Sequence, residues 1–418
     1  MSLFDIVSLL MVMAALFGYI NHRWLRLEPT VGLLMISLVS SLAMMLVHWL
    51  FPQLEMYAQL QTALNNIDFN RALMHGMLGF LLFAGALHVD LEYFIKRKLT
   101  IGSLATVGLL MSTFLVGYGT YLLFGFLGFE VRFLACLIFG SLISPTDPIA
   151  VMGTLKTLDA PKDLEANIAG ESLFNDGVAV VVFTALVAML GAGGGHGPHG
   201  DSMGAMDIFV FFLREAGGGA VLGLVAGYIA YRMMLSIDAY SVEVMITLAL
   251  VMGAYSLAWA LQVSGPIAMV VAGILIGNRG RALAMSEEVA DYLEKFWELL
   301  DEILNAILFM LIGIEVLVIA FQARAALAGL VVIAIVLVAR FVSVWLPVSL
   351  IGLRNQFPRG VSRILTWAGL RGGISVALAL SLPPIPEKRL ILVCTYIVVL
   401  FSILVQGMTI KRVLRRFL

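Results

Sequence analysis

Apolar runs long enough to cross a bilayer as helices follow one another from Leu3 to Ile410, with only short polar links between them. Crossing the roughly 30 Å hydrocarbon layer takes about 20 helical residues, so about thirteen spans use up most of the 418 residues. Composition agrees: 61% of the residues are apolar and 13% charged, against roughly 45–50% and 25% in soluble domains. An ordinary soluble enzyme is excluded, and so is a soluble domain on a single anchor. The expected fold class is an all-α polytopic membrane protein.

The spans are expected at roughly residues 3–20, 31–50, 72–89, 101–122, 131–151, 166–190, 206–231, 242–261, 266–277, 297–320, 327–350, 361–382 and 389–410. No basic segment precedes the first and no small-residue cleavage site follows it, so it reads as a retained span. With the N-terminus outside, eighteen of the 26 Lys and Arg fall in cytoplasmic segments and six in external ones, while Arg340 and Arg371 lie within spans. Basic residues mark the cytoplasmic side, which predicts an outside N-terminus and a cytoplasmic C-terminus in the cell (inner) membrane. A net charge of -1 gives no basic excess for nucleic acid. Cys136 and Cys394 stand in apolar segments without CxxC spacing and read as core thiols. The link GAGGGHGPHG reads as a flexible loop, and its His196 and His199, lacking a third ligand, make a poor zinc site.

An odd span count allows spans 1 to 6 and 8 to 13 to form two six-helix repeats, inverted by the seventh. The punctuation corresponds: span five carries Pro145 and Pro148, and span twelve carries Gly369, Gly372 and Gly373. Matched Gly/Pro interruptions point to discontinuous helices 5 and 12 around an internal binding site. Pro145 removes an amide hydrogen and Pro148 disfavours a helical Asp147, so carbonyls from Ser144 to Thr146 are expected to be free of intrahelical bonds.

Charges at membrane depth are the next constraint. A carboxylate there costs about 2.5–3.5 kcal/mol on the insertion scale, so Asp147, Glu171 and Asp176 need partners or a watered cavity. Ser172 and Asp176 are four apart and share a helical face, a hydroxyl and a carboxylate fit for a small alkali cation or a proton. Glu171 and Asn175 share the adjacent stripe. Arg340, mid-span in LVARFVSV, cannot deprotonate and requires an anion from another helix; Glu171 is the expected partner. Arg371, beside the glycines expected to interrupt the twelfth helix, could neutralise carbonyls exposed there or pair with Asp147, and spacing leaves both open.

These segments resemble the monovalent cation:proton antiporter superfamily, in the branch shared by prokaryotic sodium/proton antiporters of the NhaP type and animal sodium/proton exchangers. The resemblance runs from about Met74 to Val413 through SPTDPIAV (Ser144 to Val151), GESLFNDGVAVVVF (Gly170 to Phe183), SGPIAMVVAGILIGN (Ser264 to Asn278), the Arg340 span, GLRGGIS (Gly369 to Ser375) and QGMTI (Gln406 to Ile410). It implies a mobile core of spans 4 to 6 (101–190) and 11 to 13 (327–410). This core moves against a dimer-forming scaffold in 1–100 and 206–320, and a short cytoplasmic tail, 411–418, follows.

Carried over residue by residue, the resemblance places Na+ at Asp176, Ser172 and Thr146, with Asp147 and Asn175 beside it, and a core-stabilising ion pair at Glu171 and Arg340. It implies exchange of Na+ or Li+ for H+, with no cofactor, in a homodimer. Asn175 before Asp176 resembles the electroneutral branch, which exchanges one cation per proton. Ala84 stands where many relatives have a glutamate, so water or Asp147 completes the shell. A K+/H+ antiporter and a cation channel are the competing readings. An intramembrane enzyme is disfavoured because no HExxH motif is present.

Overall fold

A computed structural model of the chain describes residues 3–51, 76–158, 160–190, 205–317, 322–352 and 360–417. His196 and His199 lie outside these residues, as do the ends of the third and tenth expected spans. The described residues build α1 (Leu3–Ile20), α2 (Pro29–Leu50), α3 (Leu78–Leu87), α4 (Leu91–Ser103) and α5 (Leu109–Phe126). There follow α6 (Phe133–Ile143), α7 (Ile149–Thr157), α8 (Lys162–Met189), α9 (Ala205–Met234), α10 (Tyr240–Leu261), α11 (Gly265–Leu275) and α12 (Glu287–Glu315). The last are α13 (Ala323–Gly352), α14 (Val361–Ala368), α15 (Gly373–Leu380), α16 (Lys388–Phe401) and α17 (Met408–Phe417).

Seven of the described helical stretches are long and apolar enough to cross a membrane. Large apolar side chains face outward along them, among them Leu110, Phe114 and Tyr118 on α5 and Leu327, Leu330 and Val338 on α13. Water would penalise such continuous apolar stripes, whereas lipid accepts them. The chain is a multi-pass membrane protein. Cys136 and Cys394 are both free and buried.

Local chemistry sets the helix ends. Glu28 caps α2, accepting from the Val31 amide, with Pro29 in the first turn; Ser264 and Ser286 cap α11 and α12 in the same way. Asn278, the last residue of the SGPIAMVVAGILIGN segment, clamps the link between α3 and α4. Its Nδ2 donates to Val89 O at 2.9 Å, and its Oδ1 accepts from the Leu91 amide at 2.9 Å.

Several helices outrun the apolar runs that announce them. The span expected at 101–122 belongs to a helical stretch from Leu91 to Phe126 that includes a wide turn at Leu104–Gly108, and the span expected at 297–320 starts at Glu287. Residues 411–417, expected as a tail, continue the last helix to Phe417, with Ile410 and Leu414 buried. In each case a polar, amphipathic turn carries the helix beyond the part that lipid alone would select. Outside the spans, Arg132 donates through Nε and Nη2 to Glu387 at 2.8 and 2.9 Å, tying the start of α6 to the start of α16. The hydrogen bonds from Arg132 hold the Glu387 carboxyl below its usual range, so this clamp persists through mild acidification.

Candidate functional site

The expected interruptions are present. Helix stops after Ile143 and resumes at Ile149, and it stops again after Ala368 and resumes at Gly373. The two breaks are joined directly, with the Asp147 amide donating to Leu370 O at 2.8 Å. Glycine is required where they meet: a Cβ on Gly372 would overlap the Asp147 carboxylate, and one on Gly369 would overlap the Arg340 guanidinium. Gly372→Ala is therefore expected to push the breaks apart and cost about 1–3 kcal/mol, as overpacking does. The thermal melt of the purified variant reads this directly, and a wild-type melt would refute the close approach.

Each break carries a charge suited to the helix end it faces. Asp147 Oδ1 accepts from the Ile149 amide at 3.0 Å, which caps the positive N-terminus of α7. Arg371, 2% exposed, donates through Nη1 to Ser144 O and to Pro145 O, the latter at 2.8 Å. Those carbonyls end α6, where proline has removed their helical partners and the dipole is negative. Of the two roles open to Arg371, the structure shows the carbonyl one, on the end of α6 rather than on the twelfth span. Its own amide donates to Ser402 Oγ at 2.8 Å, and Ser402 donates to Gln406 Oε1 at 2.8 Å, so the QGMTI segment supports the second break.

Helix α8 supplies the other side of the site. Ser172 Oγ donates to Thr146 O, and Asn175 Nδ2 donates to Thr146 Oγ1 at 2.9 Å while its Oδ1 accepts from the Thr146 amide at 3.3 Å. Asn175 thus turns to the break together with Ser172, although its sequence spacing aligns it with Glu171. Glu171 points elsewhere. Arg340 grips both its oxygens, Nη1 to Oε1 and Nη2 to Oε2 at 3.0 Å, and Nη2 also donates to Leu365 O at 3.1 Å. Glu171 and Arg340 are 2% and 6% exposed.

That leaves Asp176. It is 8% exposed, it feels the charge of Asp147, and among the described residues no donor or cation bonds it. Asp147, Thr146 and Ser172 bring oxygens to the joined breaks, and Asp176 follows Ser172 one turn along α8; all are hard ligands that suit a small monovalent cation or a proton. No group of three His, Cys, Asp or Glu able to hold a metal occurs among the described residues. Ala84, where a further carboxylate would stand, is a buried alanine. Sequence reasoning did not reach Ser112, Asn305 or the side chain of Ser144, whose carbonyl alone it named. Ser144 Oγ donates to Gly140 O at 2.6 Å and accepts from Ser112 Oγ at 2.8 Å, holding the C-terminal end of α6. Asn305 is buried, and among the described residues neither of its amide atoms has a hydrogen-bond partner.

A multi-pass helical protein with two interrupted helices joined at a buried polar site has the arrangement by which secondary transporters build ion sites. Comparison with known proteins makes the assignment specific. The profile of the family described as "Sodium/hydrogen exchanger, transmembrane" matches residues 11–416. The chain is 49% identical to the Na(+)/H(+) antiporter NhaP of Pseudomonas aeruginosa over 99% of its own length and 96% of that protein. It is 32% identical to the Na(+)/H(+) antiporter NhaH of Halobacillus aidingensis over 98% and 97%. Its fold is similar to the solved sodium proton antiporter MjNhaP1 of Methanocaldococcus jannaschii, with a TM-score of 0.72 at 18% identity over 99% of this chain and 98% of that one. The chain belongs to the sodium/hydrogen exchanger family.

Proposed function

We propose that the chain exchanges Na+ (or Li+) for H+ across the membrane, one for one, as a secondary active antiporter in which both ions compete for Asp176. It carries out no catalytic chemistry. The observation that carries the reading is the division of labour among the buried charges. Glu171 is neutralised by Arg340 and Arg371 by helix-end carbonyls, whereas Asp176 is left without a partner among the described residues. An unpaired carboxylate at that depth is expensive, so its function is to be filled by one cation at a time. In this reading Ser172 and Thr146 complete the Na+ shell with Asp147, and Asn175 holds Thr146 in place.

Exclusion of one ion by the other is sufficient for coupling, since an empty anionic site resists crossing the apolar barrier. Each proton moving down one pH unit releases about 1.4 kcal/mol, which at one for one sustains about a tenfold opposing Na+ gradient. We read the architecture as thirteen spans in two inverted six-helix repeats with helices 5 and 12 crossing. The core is residues 101–190 and 327–410, moving by alternating access against a scaffold of 1–100 and 206–320 that forms the homodimer. The N-terminus is outside and the C-terminus cytoplasmic in the inner membrane. Positive-inside charge counting and the matched interruptions support these assignments.

Dequenching of a pH dye in proteoliposomes at zero potential, with Na+, Li+ and K+ added in turn, tests the function. Saturable responses to Na+ and Li+ are expected. A K+ response alone would move the assignment to a K+/H+ exchanger, non-saturating flux without a proton gradient would indicate a channel, and insensitivity to all three cations would reject exchange.

A further inference from the structure

One polar group inside the protein has no part in the mechanism above. Helix α12 starts as a strongly acidic segment: from Glu287 to Glu302 it carries Glu287, Glu288, Asp291, Glu294, Glu298, Asp301 and Glu302 against a single Lys295. Lys295 is engaged by Asp291 at 2.6 Å, and Glu294 by Arg281 at 3.0 Å. Among the described residues Asp301 has no cationic partner, although it sits halfway along the helix and is only partly exposed. One turn further on, Asn305 is 3% exposed. Its amide faces the Asp301 carboxylate but falls short of hydrogen-bond geometry, and among the described residues neither its nitrogen nor its oxygen has another partner.

The same stripe leads to the transport site. Asp301, Asn305 and Leu308 recur at the spacing of one helical face, and Leu308 packs against Gly373, the residue after the glycine that touches Asp147. Asp301 is near enough to Asp147 for the two carboxylates to interact, and Glu28 at the head of α2 acts on Asp147 as well. Asp147 is itself partly exposed. A buried amide left unpaired costs about 1–3 kcal/mol, and a carboxylate without a counter-ion beside it adds to that cost. A solvated surface stripe explains Glu298 and Glu302 but not an amide as buried as Asn305.

We propose that the Asp301 carboxylate and the Asn305 carbonyl oxygen form an auxiliary binding site for a monovalent alkali cation on the cytoplasmic approach to Asp147, occupied before the ion reaches Asp176. The proposal rests on the exchange reading and on its orientation, which places the acidic start of α12 in the cytoplasm. One carboxylate and one amide oxygen form a weak site, completed by water, as a staging point requires: a tight site would hold the ion back.

Everted membrane vesicles, whose outer surface is the cytoplasmic face, test it by Na+ titration of exchange. Asp301→Asn is expected to raise the half-saturating Na+ concentration roughly fivefold, the scale of losing one charge from a focusing cleft, with a smaller change in maximal rate. Asn305→Ala is expected to shift it the same way and Asp301→Glu to restore it. Unchanged half-saturation in both of the first two variants would overturn the site, as would a loss confined to maximal rate. If Asp301→Asn fails to accumulate in the membrane, Asn305→Ala carries the test. Absence of any Na+ response in the wild type would overturn the exchange reading itself, and this inference with it.

Discussion

Asp176→Asn should reduce exchange to the level of protein-free liposomes while the protein melts at or above the wild-type temperature. Both halves of the expectation come from one observation. The Asp176 carboxylate is 8% exposed and, among the described residues, receives no hydrogen bond and faces no cation. A carboxamide of the same shape removes a charge that burial penalises and that no neighbour rewards, so stability does not suffer. The same change removes the proton acceptor and the anionic ligand at once, and neither ion can then be exchanged for the other. Neighbouring substitutions differ in degree. Ser172→Ala removes a hydroxyl that donates to Thr146 O, and Asn175→Ala removes two bonds to Thr146, so each loosens the first break but leaves the carboxylate. Proton flux and melting measured on the same Asp176→Asn preparation decide the matter. Wild-type flux would eliminate the central role of Asp176, and a collapsed melt would mean that the residue is structural.

How much of this was legible in sequence depended on whether a residue's demand could be met locally. Pro145 and Pro148 disrupt a helix wherever it sits, and Gly369, Gly372 and Gly373 weaken one, so both interruptions were readable without any tertiary knowledge. Arg340 was readable because a guanidinium at membrane depth must find an anion, and Glu171 offered one. Arg371 was readable only in part: carbonyls and Asp147 were both open to it, and the carbonyls it meets are those ending α6, which become a target only once the second break lies beside them. The face of Asn175 was misjudged for a related reason: spacing of four aligns it with Glu171, but spacing of three also aligns it with Ser172, and the position of Thr146 decides between them. Asp301 and Asn305 escaped notice because a carboxylate in the first turn of an apolar run is cheap if it reaches water. Only the start of α12 at Glu287 and the packing of Leu308 on Gly373 show how deep in the protein that stripe runs. The helical extensions at Leu91 and Phe417 escaped because hydropathy measures the lipid-facing part of a helix and is blind to its polar ends.

Disrupting the Glu171–Arg340 pair should have the opposite signature from Asp176→Asn, with stability lost first and ion competition intact in whatever protein folds. The pair is nearly excluded from solvent and gripped at both carboxylate oxygens, and Arg340 adds a bond to Leu365 O, so it joins α8, α13 and α14 at one point. Removing either partner leaves a charge with neither water nor counter-ion, which costs about 3–5 kcal/mol in such sites. Glu171→Ala and Arg340→Ala should therefore each lower the melting temperature sharply. The double variant should be less destabilised than the two single losses added together, because neither charge is then left alone. Arg340→Lys should fall between wild type and Arg340→Ala, since an ammonium keeps the charge but cannot bond both oxygens and Leu365 O in one plane. Single variants that melt like wild type, with a double variant that melts lower, would mean that the two charges are satisfied separately. If instead the expected pattern holds and the surviving double variant still shows Na+ and H+ competing, then coupling resides in Asp176 and the ion pair serves to hold the three helices around it.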